Sequence, residues 1–396
     1  MTVLLIDSIR ELGGAQRSLL ELAVALKGRG LAVHAAVPSG PLSTALTTAG
    51  IPVRNIPAVR LRPGWNSQAL RERIRYLRAL PVLARTIRAV MPDILHANGV
   101  TADRMAVFVR QQRPVVWQVR DFALKGIDLP YISRRSTFIV GSSDPVAEYL
   151  TEMVPPNQIR KIRLIRSGVD TRHFVPGDRA AARGAFHLPA QAPLVGMAAH
   201  LAPSKRHIFF LEVAYAIRQT RPNVQFVLAG RDLFNARPNL RAQIEARIAS
   251  AGLTDAIHWI KDLDDLAPLY PALDVLVHPA ADEPFGRVLC EAMSAEIPVV
   301  AVNRAGPHTI VPNNSAGFLL PAKDVELFAR KILSLLDDPE AARRMGEIGR
   351  RHAMVHHDSA RIGAEMHALY NEIQDLLTHE RRRLEDEKFR QSDEDD

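Results

Sequence analysis

The sequence holds a single cysteine, Cys290, in 396 residues. That excludes an internal disulfide and any zinc site built from several thiolates. Cys290 lies in an apolar helical stretch, where a cysteine behaves as a small core residue. Long apolar runs are also missing, and none approaches the roughly 20 residues needed to cross a bilayer. The opening Met1–Asp7 is too short and lacks the basic flank of a signal peptide, so it reads as a buried first strand in a cytoplasmic chain. Aromatic residues make up 6% of the chain and show no interleaving with basic residues, and no nucleic-acid recognition motif is present. Neither the Gly-x-Gly-x-x-Gly dinucleotide fingerprint nor a Walker loop occurs, which weighs against a nicotinamide oxidoreductase.

What is present is a chain long enough for two hydrophobic cores. The formal net charge is +8, and it is unevenly spread. Residues 1–175 hold 25 Lys and Arg against 12 Asp and Glu, a balance of +13 that leaves −5 for the remainder. A basic first half implies that one domain faces an anionic partner.

Short apolar runs at Val3–Ile6, Ala32–Val37, Ile94–Ala97, Val115–Val119 and Phe138–Val140 alternate with amphipathic segments such as Gln16–Lys27 and Leu70–Val90. The pattern restarts with Leu194–Ala198, Gln225–Ala229, Ile257–Ile260, Val275–His278 and Val299–Val302. Helical patterns follow at Ile208–Gln219, Leu240–Ala251, Leu266–Tyr270, Gly286–Ser294 and Val325–Leu336. Strands alternating with helices predict two parallel-sheet domains in tandem. The boundary falls in Val169–Arg183, giving a first domain over 1–175 and a second over 176–353. A last helical segment covers 354–378. The charged stretch 379–396 is expected to be a frayed helix or a disordered tail.

Three local patterns carry chemistry. The first is Gly13-Gly14, between a strand and a helix, where paired glycines permit positive φ or close approach of a ligand. A plain tight turn accounts for it equally well. The second is Glu283-Pro284-Phe285-Gly286-Arg287-Val288-Leu289-Cys290-Glu291, which follows a strand and opens a helix. Glu283 stands before that helix and Glu291 within it, suited to accepting sugar or ribose hydroxyls; a capping acid and a helix-face acid would look the same. The third is a basic helical segment, Leu70–Arg88. Leu70, Ile74, Leu77, Ala84 and Ile87 share one face, Arg71, Arg75, Arg78 and Arg85 lie beside it, and Pro81 is expected to break or kink it. Such a segment suits anionic lipid headgroups, although a solvated basic face is an equal reading.

Taken together, these segments resemble the family-4 glycosyltransferases of the GT-B fold, over about residues 1–375. The resemblance rests on Glu283 and Glu291 at Glu-x7-Glu spacing, Gly13-Gly14, Asp93-Ile94-Leu95-His96-Ala97, and Ser167-Gly168-Val169-Asp170 with Phe174 and Pro176. It implies two Rossmann-like domains facing a central cleft, with residues 354–378 returning to the first. Retaining transfer from a nucleoside diphosphate sugar, without a metal or other cofactor, is implied too. Glu283 would then contact the donor sugar, Glu291 the ribose, and the backbone at Phe285, Gly286 and Arg287 the sugar and diphosphate. Lys205 would neutralise the leaving diphosphate, Gly306 would present backbone near it, and Arg120 would stand where many relatives place a sugar-facing His, in reach of the donor phosphate or an anionic acceptor. A salt bridge to Asp121 is the plainer reading of Arg120.

The chain departs from that pattern at His200, which replaces a phosphate-binding Arg and leaves Arg206 or Arg287 to assist. Glu296 stands where Gly is usual, and Thr309 where Glu is common. Asp262, Asp264 and Asp265 look like a metal cluster but read better as a solvated turn. The acceptor is expected to be a sugar, glycan or lipid-linked molecule of cell-envelope polysaccharide synthesis. Peripheral contact with the inner face of an anionic membrane goes with it. The rival expectation, motivated by His200 and Thr309, is a non-catalytic glycan- or nucleotide-sugar-binding protein.

Overall fold

A computed structural model describes residues 1–61, 66–122, 129–233, 239–261 and 263–394, with side chains throughout except at 381, 384 and 386–394. The first sheet is built from β1 (Thr2–Ile6), β2 (Ala32–Val37), β3 (Val53–Asn55), β4 (Ile94–Asn98), β5 (Val115–Val119), β6 (Phe138–Gly141) and β7 (Ile162–Leu164). The second contains β8 (Leu194–Ala198), β9 (Gln225–Ala229), β10 (Ile257–Ile260), β11 (Val275–His278), β12 (Val299–Val302) and β13 (Gly317–Leu320). All strand pairs in both sheets are parallel. The central strands are Val-, Ile- and Leu-rich because helices cover both of their faces.

Strand order is β3-β2-β1-β4-β5-β6-β7 in the first sheet and β10-β9-β8-β11-β12-β13 in the second. Each order reverses direction at one point, between β1 and β4 and between β8 and β11. Loops leaving the carboxyl ends of the strands diverge there and open a crevice. The two predicted parallel-sheet units are therefore present, arranged as a pair of Rossmann-like domains.

The chain returns to the first domain at its end. Val169 N donates to the carbonyl of His357 at 2.8 Å, and the helix Ser359–Glu394 then packs beside the helix Gly14–Gly28. Ile362, Met366, Leu369, Tyr370 and Ile373 enter the core formed by Val3, Leu5, Leu19 and Leu26. A Cβ at Gly363 would lie 2.5 Å from the Ala25 Cβ, so this crossing requires glycine.

Four expectations change. The charged stretch from His379 continues the helix to Glu394. Its Arg, Glu, Leu and Lys are good helix formers, and extending an existing helix avoids the cost of nucleation. Leu266–Tyr270 is turn rather than helix, followed by a short 3-10 turn at Tyr270–Ala272, because Pro268 and Pro271 remove donors. Pro81 does not break its helix, which runs from Ser67 to Val90. Ala79, Leu83 and Ile87 are fully buried around it, and that packing holds the segment helical.

The fourth change is that the single apolar face expected of that helix is divided between core and surface. Ala69, Glu72, Ala79, Leu83, Thr86 and Ile87 face the core. Of the predicted apolar face, Leu70, Ile74 and Leu77 are 54%, 42% and 64% exposed. The segment has apolar residues on two sides, and the core covers the more C-terminal set.

Candidate active site

Both switch points open into one cleft, a cavity of about 350 Å³ between the domains. The first domain contributes the Leu12–Ser18 loop and helix start, Arg120, Ser142 and Ser167. The second contributes Ala198–His200, Lys205, Gly230, Glu283, Phe285–Val288 and Glu291. Most residues singled out from the sequence thus converge, although their sources span more than 270 positions. The volume falls within the range of small-molecule pockets.

Lys205 ends a short 3-10 turn after β8, and Glu283 lies in the loop after β11. Their side chains form an ion pair, both largely buried. His278 Nε2 approaches the same Glu283 oxygen at 3.4 Å. Burial opposes ionisation of Glu283, but the Lys205 ammonium, with the His278 ring beside the same oxygen, outweighs it and holds the carboxyl well below the usual range. Gly286 has φ +107, a conformation that suits glycine, and it turns the chain into the helix Arg287–Ser294.

Glu291 projects from that helix and is 3% exposed. Its carboxylate accepts from the Tyr270 hydroxyl at 2.8 Å and from Arg287 Nη2 at 3.1 Å. Arg287 reaches across the cleft, donating to both Glu21 oxygens at 2.7 and 2.8 Å, to Ser18 Oγ at 3.0 Å and to the Gly168 carbonyl at 3.0 Å. Arg17 also crosses, donating to the Asp264 carbonyl. These contacts hold the two domains against each other on either side of the cavity.

Neither Gly13 nor Gly14 has positive φ. A Cβ at Gly14 would meet Arg287 Cδ at 3.4 Å, an ordinary contact, so neither backbone conformation nor space requires glycine there. Arg120 does not pair with Asp121. Its Nε donates to Asn98 Oδ1, Nη1 to Ser167 Oγ at 2.9 Å, and Nη2 to Gln118 Oε1 at 2.7 Å. Gln118 Oε1 also meets His96 Nε2 at 3.0 Å, and Tyr370 OH lies 2.8 Å from His96 Nδ1. Burial and the Arg120 charge pull His96 down to about 3, so the ring is neutral and Tyr370 donates to it.

Other sequence expectations move. Gly306 does not line the cavity. Its N–H donates to the Glu283 carbonyl at 2.8 Å, and a Cβ there would fall 2.1 Å from the Phe285 oxygen, so it supports the loop from behind. Arg206 turns away to the carbonyls of Pro279 and Ala322. His200 lines the cavity, but burial and neighbouring Lys205 bring it down to about 4, so it carries no charge near neutrality. Thr309 donates to the Gly306 carbonyl at 3.0 Å. Glu296 adopts φ +63 just after its helix, which explains why glycine would suit that place. Cys290 is buried in the core, where burial pushes its thiol pKa far up. Asp264 pairs with Arg231 at 2.6 Å and Asp265 with His173 at 2.9 Å; Asp262 lies outside the described residues.

Sequence reasoning missed Glu21, Tyr270, His278 and Ser142. Glu21 is the lone acid in the helix Gly14–Gly28, a signal that was readable. The others are ordinary residues whose position becomes significant through the fold.

Two family matches divide the chain as the sheets do. Residues 12–173 match the family described as Glycosyltransferase Family 4, and residues 178–352 match Glycosyl transferases group 1. The chain belongs to the family-4 glycosyltransferases of GT-B architecture. It is 25% identical over 376 residues to a D-inositol 3-phosphate glycosyltransferase of Saccharomonospora viridis, covering 87% of this chain and 86% of the relative. A protein with the same name from Streptomyces avermitilis is 31% identical over 204 residues, 49% of this chain and 43% of the relative. Among solved structures, Anabaena Alr3699/HepE in complex with UDP-glucose superposes with a TM-score of 0.80 at 20% identity, over 94% of this chain and 100% of the other. Sucrose-phosphate synthase from Thermosynechococcus elongatus gives 0.78 at 21% identity, over 95% and 100%.

Proposed function

We propose that the protein transfers a glycosyl group from a nucleoside diphosphate sugar, held mainly by the second domain, to an acceptor seated against the first. The observation that carries this reading is the meeting of Lys205, Glu283, Glu291 and the Gly286 turn in the cavity at the β8–β11 switch point. Breaking the anomeric bond builds positive charge on the sugar and negative charge on the departing diphosphate. Lys205 and the N–H groups at the start of Arg287–Ser294 are fixed in advance to receive the latter. A diphosphate competing for Lys205 releases Glu283 to accept from sugar hydroxyls. Glu291, which accepts from the Tyr270 hydroxyl, offers its carboxylate to the ribose.

Retention at the anomeric carbon follows if the acceptor attacks from the face the diphosphate leaves, with a donor phosphate oxygen taking its proton. No carboxylate is then needed as a separate base, and no metal or other cofactor enters the reading. The Anabaena structure, solved with UDP-glucose, and the D-inositol 3-phosphate glycosyltransferase relatives support a nucleotide-sugar donor and a polar acceptor.

For a lipid-linked or anionic acceptor, and for peripheral membrane contact, the support is the exposed Leu70, Ile74 and Leu77 beside Arg71, Arg75 and Arg78. No helix among the described residues is long and apolar enough to cross a membrane. The neutral His200 favours a second reading, binding of a nucleotide sugar without turnover.

A thermal-shift series with UDP-, GDP- and ADP-sugars on the purified chain, followed by transfer assays with the donor that binds, tests both. A ligand that binds the folded state alone raises the midpoint. Stabilisation with turnover supports transfer, stabilisation without turnover supports the second reading, and no stabilisation by any donor defeats both.

A further inference from the structure

The cavity's cations are not equally compensated. Lys205 faces Glu283, Arg287 faces Glu21 and Glu291, and Arg231 faces Asp264. Arg120 is held by three neutral oxygens, and among the described residues no carboxylate lies within ion-pair distance of it. The buried carboxyl of Asp7 is engaged with Asn98 Nδ2 at 2.6 Å and Gln16 Nε2 at 3.0 Å. A guanidinium has five N–H donors, so three bonds leave two for a ligand.

Ser142 stands beside this group. Its amide donates to the Val119 carbonyl at 3.1 Å, and its own carbonyl accepts from Ser167 N at 2.8 Å, which fixes its backbone at the ends of β5 and β6. Ser142 is 1% exposed, lines the cavity, and its Oγ has no hydrogen-bond partner among the described residues. Buried polar groups left without partners are uncommon and point to a missing ligand or water. Ser167 Oγ accepts from Arg120 and keeps its own hydroxyl proton to donate. Two guanidinium N–H groups and two hydroxyls therefore collect on the first-domain wall of the cleft.

We propose that Arg120, Ser142 and Ser167 form a subsite for an anionic substituent, a carboxylate or a phosphate, carried by one of the two molecules that meet in the cleft. A neutral hydroxyl would satisfy hydrogen bonds there but would leave a largely desolvated cation with no anion in direct contact among the described residues. Burial, with Arg287 nearby, brings the guanidinium down to about 9, although the more distant Asp7 and Glu21 act in the opposite direction. The subsite rests on reading the cleft as a sugar-transfer site, and it adds that the donor sugar or the acceptor is acidic.

Calorimetric titration of the full chain separates the sources. The donor arm compares UDP-glucuronate with UDP-glucose and GDP-mannuronate with GDP-mannose. The acceptor arm compares D-inositol 3-phosphate with myo-inositol in the presence of UDP or GDP. In one arm the acidic member should bind about tenfold or more tightly than its neutral partner, as expected for hydrogen bonds to a charged group. Arg120→Gln should erase the preference, Arg120→Lys should retain part of it, and Ser142→Ala should weaken the acidic ligand several-fold. Absence of any acid preference, or a preference that survives Arg120→Gln, overturns the subsite. Ser142→Ala carries the same test if Arg120→Gln does not fold. Affinity for UDP or GDP alone reports on the donor reading separately, so an acid preference without nucleotide binding would keep the subsite and discard that reading.

Discussion

Arg287 of the second domain and Glu21 of the first form a two-bond ion pair across the cleft, at 2.7 and 2.8 Å. Both side chains are largely buried, and Arg287 also holds Glu291. Domain approach and the orientation of Glu291 are therefore linked through one guanidinium. Glu21→Gln should remove the charge and keep the shape. A loss of about 2 kcal/mol in urea unfolding is expected, in line with hydrogen bonds to charged groups. Added to an Arg287→Met background, the same change should cost much less, since neighbours sharing a bond are not additive. Equal losses in both backgrounds would show that the pair contributes nothing to stability.

Gly306 supplies a second test away from the cavity wall. A methyl group there would meet the Phe285 backbone at 2.1 Å, with no flexible side chain to yield. Gly306→Ala should therefore push the Glu283–Gly286 loop and destabilise by about 1–3 kcal/mol, as overpacking does. Donor binding should weaken with it, because the Gly306 N–H holds the Glu283 carbonyl. A variant with unchanged midpoint and unchanged donor affinity would mean that the loop adjusts freely.

The parts that were readable in advance share a physical cause. Central strands such as Val115–Val119 are covered on both faces and so appear as unbroken apolar runs. The edge strands β3, Val53-Arg54-Asn55, and β7, Ile162-Arg163-Leu164, are half solvated and too short to leave a pattern. Glu283 and Glu291 were visible because strand, turn and helix follow one another locally. The Arg120 surroundings were not, since His96, Ser142, Ser167 and Tyr370 meet only once β4, β5, β6 and the last helix are in register. The apolar face expected of Leu70–Arg88 is divided, with Ile87 buried and Leu70, Ile74 and Leu77 exposed, because apolar spacing does not say which residues the core covers. Pro81, taken as a breaker, shows packing overriding local preference.

Lys205 and Glu283 test the charge argument. Lys205→Met removes the cation facing the diphosphate and leaves Glu283 beside the His278 ring. Turnover should fall about 100-fold or more, the scale for losing one preorganised electrostatic contact. Lys205→Arg should recover part of it. Glu283→Gln should lower the rate while leaving affinity for the free nucleoside diphosphate within about twofold, as its proposed contact is with sugar. If Lys205→Met transfers at the full rate once folded, the diphosphate role is wrong.

Acid sensitivity follows from histidines buried in neutral form. His96 and His357 are brought down to about 3, and His200 and His207 to about 4, with burial the largest cause in each. An unfolded histidine titrates near 6.5. Between about pH 6.5 and the folded values the unfolded chain binds more protons, so stability is present above that window and is lost as pH falls through it. His357 isolates one contributor. It is 2% exposed, both ring nitrogens lack partners, and its ring meets Phe285 edge-on, at 5.8 Å between centroids. His357→Phe keeps a planar ring there and removes the proton uptake. Urea titrations from pH 7 to pH 4.5 should show a slope shallower than that of the unsubstituted chain, by an amount approaching about 1.4 kcal/mol per pH unit below about pH 5.5. Parallel curves would mean that His357 takes up its proton in the folded state as readily as in the unfolded one.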